Sequence, residues 1–125
     1  MNSELISRKD VREKLIEWQS AQIKSTDIHE WAENIYASSR FHFDDWFGLD
    51  DAYNSVTNEV LSHLDQMNMN LTTVDEIPAF LACLDSPVEH TKVAIHELSK
   101  SLSKVDVHDR KGRLRSDPLY APFCN

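Results

Sequence analysis

Ser25-Thr26-Asp27-Ile28-His29-Glu30-Trp31-Ala32-Glu33-Asn34-Ile35-Tyr36 is the stretch whose reading decides the fold. Ile28, Trp31, Ala32, Ile35 and Tyr36 fall at i, i+3, i+4, i+7 and i+8, which gathers them on one side of a 3.6-residue helix. Glu30, Glu33 and Asn34 fall off that stripe, so the helix turns acid toward solvent. Thr26 or Asp27 suits its N-cap, and Asp27 with Glu30 places negative charge in the first turn, where the helix dipole favours it. The break at Ser25-Thr26-Asp27 is short, which predicts an antiparallel hairpin with the helix before it.

That earlier helix opens at Ser7, where Ser7-x-x-Asp10 resembles a capping box with the shorter acid. Val11, Leu15 and Trp18 follow at i, i+4, i+7, with Ile16 and Ile23 beside them. Arg8, Lys9, Arg12, Glu13, Lys14 and Glu17 fill the other face. The early cations oppose the helix dipole at a cost of a few tenths of a kcal/mol, which suggests a nearby acid or another role.

Downstream comes Phe41-His42-Phe43-Asp44-Asp45-Trp46-Phe47-Gly48-Leu49-Asp50-Asp51, with neither a helical stripe nor strand alternation. Large rings want burial and clustered carboxylates want water or a cation. Phe41, Phe43 and Phe47 are the expected anchors, and Asp44, Asp45 and Trp46 the expected exposed corner. A third helix is expected over residues 52–67, capped by Asp50 or Asp51, with Tyr53, Val56, Val60, Leu64 and Met67 on its stripe. Asn68-Met69-Asn70 closes it, since Asn tolerates the left-handed conformation. Thr73-x-x-Glu76 is a capping box for a short apolar helix through Ile77, Phe80, Leu81 and Leu84, and Pro78 delays or kinks its start. Ser86-Pro87-Val88-Glu89 restarts the chain into a fifth helix carrying Thr91, Ala94, Ile95, Leu98 and Leu102, running to about Val105. Gly112 and Pro118 are expected to end regular structure in the tail, residues 106–125, whose apolar Leu119-Tyr120-Ala121-Pro122-Phe123 docks in extended form. The expectation is one all-α domain over residues 1–125: a bundle of about five helices with an irregular aromatic–acidic loop and an extended C-terminal tail.

The net charge of −8 is unevenly spread. Residues 1–24 carry five basic and four acidic side chains, residues 25–91 one basic and thirteen acidic, and residues 92–125 seven basic and four acidic. A central block of that sign repels phosphates, which argues against nucleic-acid binding there. It favours a basic protein partner, whose encounter it speeds; solvation of an ordinary acidic surface is the plain alternative. The N-terminus lacks the apolar core of a secretory signal, and no run approaches the ~20 apolar residues of a membrane span. A cytoplasmic address is therefore expected. Cys83 lies in an apolar run and reads as a buried hydrophobe; a bridge to Cys124 is possible but nothing demands it.

No catalytic motif stands out. The histidines (His29, His42, His63, His90, His96, His108) form no HExxH, and His90 and His96 fall on different helix faces. The Asp cluster fails the calcium-loop spacing, with Trp46 and Phe47 at ligand positions. Cys83 sits where a thiol pKa rises, and two glycines cannot build a phosphate loop. No cofactor, metal site or enzymatic activity is expected. In size, acidic character and the segments Phe41–Asp51 and Asp75-Glu76-Ile77-Pro78, the chain resembles the immunity proteins of bacterial contact-dependent growth inhibition and related polymorphic toxins. The resemblance implies inhibition of a cognate toxin, often a basic nuclease domain, by an acidic surface that covers its active site or substrate groove. The residues expected to touch such a partner are Asp44, Asp45, Trp46, Asp50 and Asp51, with Glu30 and Glu33 nearby. A helical regulatory or adaptor protein is the alternative, and a metal-binding enzyme or sensor using the Asp cluster and His42 a more distant one. The oligomeric state is not legible in the sequence.

Overall fold

Three α-helices among the described residues begin at a side chain that accepts from their first free amides: Ser7, Ser55 and Asp106. A computed structural model describes residues 4–38, 41–45 and 55–125. It is all-α in character, with seven α-helices among the described residues: α1 (Arg8–Gln19), α2 (Ser25–Ala37), α3 (Val56–Asp65), α4 (Met67–Asn70), α5 (Ile77–Leu84), α6 (Thr91–Leu102) and α7 (Val107–Leu114). Two short strands, β1 (Glu4–Ile6) and β2 (Phe41–Phe43), pair in parallel with Leu5 opposite His42. The α1–α2 pair forms the crossover between them.

Ser7 and Asp10 make the expected reciprocal capping box on α1. Val11, Leu15 and Trp18 are buried, and Trp18 Nε1 donates to Ser25 Oγ at 3.0 Å. On α2, Ile28, His29, Ala32 and Ile35 are buried; Trp31 is half-buried, with Lys14 Nζ 5.8 Å from its ring centre. The helix starts earlier than expected: Lys24 is the N-cap, and its backbone amide donates to Asp27 Oδ2 at 2.8 Å. α3 packs against α1, α2, α5 and α6. Its Val60, Leu61 and Leu64 are fully buried in the core shared with Leu15, Ile28, Ile77 and Phe80. Burying each such side chain contributes about 1.5–3 kcal/mol relative to leaving it in water.

Several expectations fail locally. The Phe41 segment does hold strand structure, because Ile6 and its neighbours supply a parallel partner from the N-terminus. Phe41 and Phe43 are anchored as expected: Phe43 is buried, and edge contacts run from Tyr36 to Phe41 (5.5 Å) and from Phe41 to Phe43 (5.4 Å). Phe47 lies outside the described residues. α3 begins at Val56, not near residue 52, since Ser55 Oγ accepts from Asn58 N at 3.0 Å and takes the capping role given to Asp50 or Asp51. The left-handed residue after α4 is Leu71 (φ 55°), not an Asn. Burial of its side chain and an arginine on its carbonyl offset that conformation. Ser86 does not cap α6: its Oγ donates to Cys83 O at 2.7 Å and finishes α5, and a 3-10 turn over Val88–His90 precedes α6. α6 stops at Leu102.

The tail is helical where an extended segment was expected. Asp106 caps α7, accepting from Asp109 N at 3.0 Å, and Gly112 sits inside the helix. Arg110 is drawn into the body. Its guanidinium meets Glu76 in a fork, Nη1 to Oε1 at 2.6 Å and Nη2 to Oε2 at 2.7 Å, and Nη1 also donates to Leu71 O at 2.9 Å. Glu76 closes the expected capping box by accepting from Thr73 N at 2.8 Å. One carboxylate thus starts the α5 region and holds the tail. These bonds keep Arg110 firmly protonated, with its pKa raised by Glu76 against the opposing effect of burial. Tyr120 is buried and donates to Thr72 O at 2.6 Å, and Cys124 is buried beneath the last 3-10 turn. Cys83 and Cys124 are both free thiols.

Candidate protein-binding surface

Carboxylates expected to lie together on one surface divide into two environments. Asp45 is only 5% exposed and is not part of a solvent-facing corner. Its Oδ2 accepts from Arg8 Nε at 2.8 Å and from Thr57 N at 3.2 Å, and its Oδ1 from Ser55 Oγ. Burial alone would raise its pKa, but the bonds from Ser55, Arg8 and Thr57 outweigh it and hold the carboxyl below its ordinary value. The expectation that Asp45 faces a partner is therefore corrected: it joins α1, β2 and the start of α3. Arg8 is the early cation of α1, and besides Asp45 it reaches the carbonyls of Leu84 and Ser86. Its neighbour Arg12 pairs with Asp85 at 3.1 Å. The nearby acids that the helix-dipole conflict pointed to are these two aspartates.

Asp44, one residue earlier, is exposed because the chain alternates as it leaves β2. Glu30 and Glu33 are exposed on α2, which contains no Lys or Arg. Among the described residues no cation lies within ion-pair distance of Glu30 or Asp44. Glu33 reaches His29 Nε2 at 3.4 Å, while Nδ1 of that ring faces Leu64 O at 3.1 Å. The edge contact between Tyr36 and Phe41 ties β2 to the C-terminal end of α2. Trp46, Asp50 and Asp51 lie outside the described residues.

Among the described residues no group of three or more His, Cys, Asp or Glu side chains is placed to hold a metal ion. His42 is exposed on β2, while Asp45 is turned inward onto Arg8. No described helix is long and apolar enough to cross a membrane. Burial pushes the Cys83 thiol up to about 11, which suits a packing role and not a nucleophile. Sequence reasoning missed the inward turn of Asp45 and the Arg110–Glu76 fork. Each joins residues more than thirty positions apart, and no local spacing marks them. Comparison with known protein families, curated proteins and solved structures finds no match.

Proposed function

We propose that this chain is a protein-binding inhibitor of the immunity type, which neutralises a basic toxin domain by covering it with an acidic surface. The observation that carries the reading is how charge is used. Arg8, Arg12, Arg110 and Arg113 are engaged by Asp45, Asp85, Glu76 and Asp75 within the fold. Glu30, Glu33 and Asp44 remain exposed with no Lys or Arg partner among the described residues. These pairs remove cations and acids in equal number, so the excess of acid in the sequence stays on the surface, where α2 carries no Lys or Arg to offset it; such a surface steers a basic partner and adds little to stability. Contact is assigned to Glu30, Glu33 and Asp44, with Trp46, Asp50 and Asp51 as further contacts proposed from sequence. Asp45 supports the contact surface from behind. A nuclease is the favoured target because its substrate groove must be basic, and occlusion needs no chemistry from the inhibitor.

The test is capture of the partner on the immobilised chain, followed by titration of the purified pair. Glu30→Lys, Glu33→Lys and Asp44→Lys combined should fold and slow association; the parent's association should slow as salt rises, and its advantage over the variant should narrow. A folded triple variant that binds and inhibits its partner unchanged removes this surface from the interface.

A further inference from the structure

A second surface lies at the opposite end of the charge distribution. α4, α6, α7 and the final 3-10 turn (Ala121–Phe123) wall a cleft of about 690 Å³. Met69, Val107 and Phe123 line it, and these are 52%, 51% and 37% exposed. They are three of the seven large apolar side chains left exposed among the described residues, brought into one cleft by three separate elements. Half-buried Leu102 and Val105 also line it. Scattered exposed apolar residues are ordinary, whereas a grouped set in a concave site marks an interaction surface.

Charge defines what fits. The carboxylate in the lining, Glu76, is neutralised by Arg110, and Glu59 beside the cleft is paired with His63 at 3.4 Å. Among the described residues, three lysines stand around the cleft against one unpaired carboxylate, Asp106, which lies between the lining residues Val105 and Val107 and caps α7. Lys111 lines the cleft and touches only the main-chain oxygen of Asn125, and Lys100 and Lys104 are exposed immediately after the lining residues Ser99 and Ser103. This inverts the sign of the surface around α2.

Backbone chemistry defines its form. Neither β1 nor β2 borders the cleft, whose walls are mainly helices, so an incoming extended segment would find no strand edge to join. An occupant must satisfy its own backbone, which a helix does. A second copy of this chain is a poor occupant. Among the described residues no helix presents two exposed large apolar side chains, so a copy has no apolar ridge to insert.

We propose that this cleft docks an amphipathic helix of a partner protein, apolar at i, i+3 or i+4, and i+7 and acidic along its flanks. The site is independent of the acidic surface and leaves that surface free, so the chain can hold two partners of opposite charge.

The probe is a displayed library of helical peptides with randomised surface positions, selected against the full chain. Enriched peptides should carry the apolar spacing and a net negative charge. A labelled peptide from that pool should lose at least about tenfold in affinity on Val107→Glu and on the Lys104→Glu/Lys111→Glu pair, and should bind less tightly as salt rises. Val107 and Lys104 are exposed and Lys111 is half-buried, and an unchanged melting temperature verifies the fold of each variant; exposed Met69→Lys serves as a second apolar-site variant. The proposal is overturned if no helical peptide is enriched, if those enriched are basic or lack the spacing, or if Val107→Glu and Met69→Lys bind them unchanged. It is also overturned if light scattering shows a dimer that Val107→Glu dissociates, which would make a second copy the occupant.

Discussion

Replacing Arg110 with Met removes a forked pair from an interior where water cannot take its place. Arg110 and Glu76 are 7% and 6% exposed. The substitution deletes both bonds to Glu76 and the bond to Leu71 O, leaving the carboxylate with the Thr73 amide as its remaining described partner. Removing one partner of a buried ion pair costs about 3–5 kcal/mol, because the other charge stays desolvated. The total stability of such a domain is about 5–15 kcal/mol, so the loss is a large fraction of it. Glu76→Gln combined with Arg110→Met removes the stranded charge and keeps an acceptor for Thr73 N. The double variant should therefore lose only about 1–2 kcal/mol, roughly one unmade hydrogen bond at Leu71 O. Urea unfolding followed by helical circular dichroism gives all of these values, with exposed Lys100→Met as a control expected within about 0.5 kcal/mol of the parent. A double variant less stable than Arg110→Met alone, or a single-variant loss under about 1 kcal/mol, would refute a buried charged fork as the tie between tail and body.

Asp45 gives a pH signature. Its folded pKa is depressed below the ordinary 3.8, so it contributes stability above pH 3.8 that is lost as pH falls through the folded value. The stability difference between the parent and Asp45→Asn should be constant near neutrality and shrink in acid unfolding below pH 3.8; a difference that grows there would reverse the sign of the assignment. Gly112→Ala should stabilise the protein by about 0.5–1 kcal/mol in thermal or urea unfolding, because the position is helical and an added Cβ meets nothing within 4 Å.

Local periodicity was enough for α1, α2, α3, α5 and α6. Val11, Leu15 and Trp18, or Ile28, Ala32 and Ile35, report their burial through spacing alone, because one apolar face drives each helix onto the core. Ser7–Asp10 and Thr73–Glu76 were legible for the same reason, since a cap is satisfied within four residues. The β1–β2 pairing, the inward turn of Asp45 and the burial of Arg110 depend on partners supplied by distant segments. The sequence showed Asp44 and Asp45 as equivalent neighbours; the alternation of the chain leaving β2 sends one to water and the other to Arg8. The basic start of α1 was a usable hint, as a charge placed against its own helix dipole needs compensation from elsewhere. Gly112 misled because its composition signals a break, whereas the Asp106 cap and the Arg110 anchor outweigh a penalty of about 1 kcal/mol.

The bond from Ser55 Oγ to Asp45 has a further consequence. It joins the residues on either side of positions 46–54, and Arg8 and the Thr57 amide fix the same carboxylate to the body. A single carboxylate thus ties the first turn of α1, the end of β2 and the first turn of α3 into one joint, so a change at any one of the three is felt by the other two.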